Sequence, residues 1–338
     1  MQIQGPMKRW LTRLFGMHAA DHAIAVAATA APVRSGATDD AAAAPRPELD
    51  LAFFHWLIAP HVSGRPAADS PVLDELARLA SDPEGAAALV PRVPAVIPQL
   101  LRSLRDEDSS AGELARQVAQ DAVLVAEVIR EVNSPYYQPA SPIRNLEGAV
   151  LLLGQNGLRM LLARVAFRPI ISQQAGPLAR LLAPPLWRQS ELCAQAASLL
   201  APRHGADPFE AYLAGLMHNV GLVVAFRAAE QLVPTGGLPD NDAFGARLVQ
   251  AARRISAAIA GRWQLPAAIG HAIAAVGEPA AAPPPALTLT LEDADRLAKL
   301  HMLARGGQPG FVRAALSLAP EARQVYDRLA DQSERQDP

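Results

Sequence analysis

The chain has 338 residues, 50% of them hydrophobic and 5% aromatic, with a formal net charge of −2 at pH 7. That is ample apolar material for one large or two smaller domains. So balanced a charge supplies no global attraction for nucleic acid or a membrane surface. The single cysteine, Cys193, excludes an intramolecular disulfide and a cysteine-only metal cluster, and it suits a reducing, cytoplasmic setting.

In chain order, residues 7–15 set Trp10, Leu11, Leu14 and Phe15 against Lys8, Arg9 and Arg13. Such a stretch can form a short amphipathic helix resting on a membrane surface or a partner, or it can fray as a terminal turn. Residues 23–31 are small and apolar like a weak signal-peptide core, but Asp21 and His22 abut them. Residues 32–47 hold few large apolar groups and cannot offset their ordering entropy, so 1–47 reads as a disordered tether. Apolar spacing predicts helices over 49–58 and 72–79, within a helical preamble spanning 48–88.

Further helices are expected over 96–104 and 113–132, the latter striped by Leu114, Val118, Val125, Val128 and Val132 and stopped at Asn133-Ser134-Pro135. Helices follow at 146–153, stopping at Gly154, and at 158–166, 186–200, 209–226, 243–263 and 266–276. Residues 287–291 alternate like a strand but run into a helical pattern, so 287–303 reads as one helix; 312–329 closes the chain. The fold class is all-α. No apolar run reaches the roughly 20 residues of a bilayer span, and no repeat of solenoid length is present.

The stretch 211–221 is the most informative. It is an apolar helical run carrying one polar pair, His218-Asn219. A buried polar pair needs partners, because each unpaired group costs about 1–3 kcal/mol. A His-Asp pair would offer a divalent cation an imidazole and a charged oxygen. Asn219 is neutral and cannot supply that charge.

Several ordered pieces carry a resemblance to a known family. They are Leu89-Val-Pro-Arg-Val-Pro-Ala95, Asp121-Ala-Val-Leu124 and Val132-Asn-Ser-Pro-Tyr-Tyr137. Leu153-Gly-Gln-Asn-Gly-Leu-Arg159, Leu213-Ala-Gly-Leu-Met-His-Asn-Val-Gly221 and Arg262-Trp-Gln-Leu-Pro266 follow in order. The set resembles the HDOD domain, the HD-related output domain of bacterial signalling proteins, over about 89–280. The resemblance implies a multi-helix bundle related to the HD phosphohydrolases, with 281–338 as C-terminal helices packing on it.

The same resemblance implies a degenerate metal site. Gln189 stands where the catalytic superfamily has its first His, Asn219 where it has Asp, and Ala252, Val276 and Gly277 where later His ligands fall. His218 and Asp295 are the remnants. The expectation is no catalysis, no metal and no cofactor, with action through a signalling protein partner and not through nucleic acid. Two other readings stay open. One is a nucleotide-binding sensor using a metal-free pocket; the other is a residual phosphohydrolase that recruits carboxylates such as Asp207 or Glu210.

Individual residues carry narrower expectations. His218 reads as a buried imidazole bonded to Asn219 or a carbonyl. Asn133 and Ser134 read as helix and turn caps, or with His218 and Asn219 as a ligand or partner site. Cys193 reads as core packing. Residues 154–157 lack the Lys and Ser/Thr of a phosphate loop and read as a helix-to-helix turn. His204 and His271 read as surface or packing residues. Arg253 and Arg254, with Arg247 and Arg262, read as a solvated basic face.

Overall fold

A computed structural model describes residues 46–59, 69–90, 111–119, 121–135, 137, 139–172, 176–232, 238–279 and 282–336. Residues 1–45 of the expected tether, with the basic stretch 7–15, and the helix at 96–104 lie outside the described residues, whereas 46–47 are helical and not part of a tether. Among the described residues, all long elements are α-helices.

Helix α1 (Arg46–Ile58) buries Leu49, Phe53, Phe54, Leu57 and Ile58. Helix α2 (Asp69–Ala80) turns Val72, Leu73, Leu76 and Leu79 inward at helical spacing. Helix α3 (Pro83–Ala88) starts on Asp82, whose carboxylate accepts from the Gly85 N–H at 3.0 Å. All three pack on a later helix, α10 (Asp242–Arg262).

The expected helix over 113–132 is two helices, α4 (Ala111–Val118) and α5 (Ala122–Val132). The break is a new N-cap. Asp121 adopts extended backbone, and its carboxylate accepts from Val123 N and Leu124 N, each at 3.0 Å. The apolar stripe continues through the break, which is why periodicity alone merges the two.

Helix α6 (Leu146–Ser172) is interrupted where a stop is expected, at Gly154, with φ 69° and ψ 178°. The interruption is a one-residue kink and not a turn over 154–157. Helix α7 (Pro177–His204) is the buried central column and outruns the expected 186–200. Against it lie α6, α8 (Pro208–Met217) and α12 (Ala286–Arg305). The α7–α8 contact depends on Gly215: a Cβ there would sit 2.4 Å from the Ala194 Cα. The remaining helices are α9 (Val220–Leu232), α11 (Ala267–Ala275), α13 (Pro309–Leu316) and α14 (Pro320–Gln336).

Two expectations at the C-terminus divide. The strand-like 287–291 is helical, because Leu287, Thr288, Thr290 and Leu291 are all buried and Thr290 Oγ1 donates to Ala286 O at 2.8 Å. The single helix over 312–329 is instead α13 and α14. Ser317 N closes the first on the Arg313 and Ala314 carbonyls, and Pro320 opens the second.

Residues 146–172 and 208–232 are long and apolar enough to cross a bilayer by composition. The sequence reading missed these runs. In the two windows 61% and 89% respectively is buried in the protein, so both runs serve as core segments.

An ion triad ties α5, α6 and α7. Arg164 donates from Nε to Glu191 and from Nη1 to Glu131, both at 2.5 Å. Glu131 also meets the half-exposed Arg168 at 3.3 Å. Burial disfavours the Arg164 charge, but Glu191 and Glu131 outweigh it and hold the guanidinium well above its usual range.

Candidate functional site

The expected continuous helix over 209–226 is broken at His218-Asn219, between α8 and α9. Ser256 of α10 repairs the break. Its Oγ donates to His218 O at 2.8 Å and accepts from Gly221 N at 2.7 Å, satisfying groups that a helix end leaves open. Position 221 must be glycine, since a Cβ there would fall 1.8 Å from Ala252 O. The break swings His218 and Asn219 onto α7 and α12.

The four remnant positions Gln189, His218, Asn219 and Asp295 are thereby brought together, all buried. Gln189 Nε2 donates to Asp295 Oδ1 at 2.7 Å. A carboxylate can only accept, so Asp295 fixes the orientation of the Gln189 amide. Its Oε1 then faces Asn219, whose Nδ2 donates to it and, at 3.1 Å, to Ser190 Oγ. Asn219 therefore turns its NH2 toward the cluster, the opposite of a metal ligand.

The other side of Asp295 is held by cations. Lys299 Nζ donates to Asp295 Oδ2 at 2.7 Å and to Asp50 Oδ1 at 2.5 Å. Arg253 Nη2 donates to Asp50 Oδ2 at 2.6 Å and lies 3.9 Å from Asp295 Oδ2. Burial opposes the Arg253 charge, yet Asp50 and Asp295 raise its pKa. Lys299 also stands 5.8 Å from the Phe53 ring centroid. A narrow space of about 20 Å³, enough for one water, remains between α1 and the core.

His218 Nδ1 lies 2.6 Å from Gly215 O, so Nδ1 carries a proton and donates to that carbonyl. Nε2 is buried, 3.3 Å from Asp295 Oδ1, without hydrogen-bond alignment. With Cys193 Sγ, these atoms lie within 4.8 Å of one another. Sulfur, nitrogen and oxygen together are a plausible donor set for a transition metal. The surroundings oppose it. Lys299, 2.7 Å from Asp295 Oδ2, and Arg253, 3.9 Å from it, would repel a dication on the same carboxylate. Asp295 is already engaged by Gln189 and Lys299, and Asn219 presents donors. The residues do not fit the divalent ion of an HD phosphohydrolase.

The HDOD domain sequence profile matches residues 90–279. The chain belongs to the HDOD domain family. An HDOD domain is a helical domain of the HD superfamily, and the architecture agrees. A solved HDOD domain protein of unknown function from Geobacter sulfurreducens is 27% identical with a TM-score of 0.57, covering 78% of this chain and 96% of that one. A protein from Marinobacter aquaeolei VT8, provisionally named a signal transduction protein, is 21% identical with a TM-score of 0.54, covering 82% and 66%. One from Shewanella amazonensis SB2B, provisionally named a phosphohydrolase, is 21% identical with a TM-score of 0.52, covering 77% and 95%. The last two show the fold alone. An uncharacterized Treponema pallidum protein is 26% identical over 191 residues, and the match spans 35% of its length.

The other expected residues fall elsewhere. Asn133 donates to Ile129 O and Ile143 O and accepts from Ile143 N, so it closes α5 and tacks down the following segment. Ser134 does not cap a turn: its Oγ is buried without a hydrogen-bond partner. Asp207 caps α8 by accepting from Glu210 N at 2.7 Å. His204 faces Asp293 at 3.2 Å, and His271 is exposed. Arg253 is not on a solvated face: its side chain is 14% exposed, whereas Arg254 at 59% is. Asp50, Lys299 and Ser256 were missed. A charge at a core-facing helical position was the available signal: Lys299 lies four residues after Asp295, and Asp50 sits within the apolar stripe of α1.

Proposed function

We propose that this chain is a non-catalytic signalling module that acts by binding a protein partner. One observation carries the reading. The position at which an HD enzyme gathers its divalent ion holds two side-chain amides, Gln189 and Asn219, and is neutralised by Lys299 and Arg253. Family membership supports a signalling role, since HDOD domains resemble output modules of bacterial signalling proteins.

The test is hydrolysis of bis(p-nitrophenyl) phosphate with Mn²⁺, comparing wild type with His218→Ala. No turnover in either is expected. Wild-type turnover that His218→Ala abolishes would overturn the reading. In cells, Asn219→Ala should retain output wherever thermal stability is retained; lost output at unchanged stability counts against it.

A further inference from the structure

We propose that Lys299 and Arg253 form an oxyanion site, held shut by the Asp50 carboxylate of α1, that takes a phosphate group when α1 withdraws. The two oxygens of Asp50 each meet a different cation, Oδ1 at 2.5 Å from Lys299 Nζ and Oδ2 at 2.6 Å from Arg253 Nη2. Two charged donors converging on two oxygens of one group is how phosphates and carboxylates are bound.

The charges require an occupant. Without Asp50, two buried cations would face Asp295 alone, and an uncompensated buried charge is strongly unfavourable. Glu292 is farther out, half-buried and accepting from Gly277 N at 3.0 Å. Asp50 and Lys299 come from opposite flanks of the family's matched span, residues 90–279, and Arg253 comes from within it. The space beside Asp50 is lined by His218 and Asn219 as well as the two cations. On its outer side α1 is latched by His55, set between Asp240 at 2.6 Å and Asp242 at 2.8 Å. A ligand that competes with Asp50 shifts α1 toward its undocked state by its differential affinity for the two. The inference does not depend on the partner-binding reading.

The test uses the full chain and inorganic phosphate, with AMP as a second probe, by calorimetry at low ionic strength. Asp50→Asn keeps the shape and removes the competing charge. It should bind phosphate about tenfold more tightly than wild type, and adding Lys299→Met should abolish the gain. AMP binding tighter than phosphate assigns the site to a nucleotide, and equal binding assigns it to the phosphate group itself. In wild type, phosphate should raise amide exchange over 46–58 relative to chloride of equal ionic strength. A folded Asp50→Asn protein with no gain overturns the proposal. Should that variant fail to fold, the wild-type experiment decides: unchanged exchange over 46–58 at high phosphate overturns it.

Discussion

The triad Glu131–Arg164–Glu191 and the tetrad Asp50–Lys299–Asp295–Arg253 are both buried, yet they are assembled from different parts of the chain. The triad lies wholly within residues 90–279 and joins three successive helices. The tetrad takes one residue from that span and three from the flanks, and through Asp295 it joins Gln189 and Asn219. The triad is a tie within the domain. In the tetrad the Asp295 carboxylate is met by Lys299 at 2.7 Å and by Arg253 at 3.9 Å, so side-chain cations balance its charge. Asp50 adds two ionic contacts to the apolar docking of α1, whose Leu49, Phe53, Phe54, Leu57 and Ile58 are buried.

The difference can be broken in graded ways. Arg164→Met strands two buried carboxylates and should cost about 3–5 kcal/mol, read as a lowered urea midpoint. Amide exchange should then rise across α5–α7. Lys299→Met should cost less, about 2–3 kcal/mol, because Arg253 still holds Asp50. Its exchange signature should concentrate in α1 and α12. If both variants loosen the same helices, the two clusters are not separate devices. Sharper still, Asp50→Asn combined with Lys299→Met should be less destabilising than the sum of the singles by about 1–2 kcal/mol, a double-mutant cycle for a direct contact. Strict additivity would contradict the pairing.

The smallest effect is on pH. Burial pulls the His55 pKa down, but hydrogen bonds to Asp242 and Asp240 outweigh it and leave it above 6.5. A raised folded value means the contribution is fully present below pH 6.5 and is lost as pH rises through the folded pKa. The site is largely exposed, so about 0.5 kcal/mol is expected after solvent screening. Thermal melts of wild type should fall slightly across that window, and His55→Gln should flatten the profile.

Much of this was legible in the residues. The helical class follows from composition and spacing, and the grouping of Gln189, His218, Asn219 and Asp295 is what the family resemblance implies. The breaks at His218-Asn219 and at Ser317 were not, because an apolar stripe continues through each while capping groups decide the break; at Asp121 periodicity hid the break and only the family-like Asp121-Ala-Val-Leu124 piece marked it. The His218 break depends on Ser256, 38 residues away in sequence, which no local pattern reveals. Arg253 was taken for a solvated charge because its partner, Asp50, is 203 residues away. Long-range ion pairing overrides a surface reading of a charged helix, and only the packed structure shows which arginine of the cluster it selects.

The most direct test of the central claim is calorimetric titration of the purified protein with Mn²⁺ and Zn²⁺, with elemental analysis alongside. If Lys299 and Arg253 have taken over the neutralisation of Asp295, neither ion binds stoichiometrically at this site. A stoichiometric metal that is lost in both His218→Ala and Cys193→Ala would contradict the account.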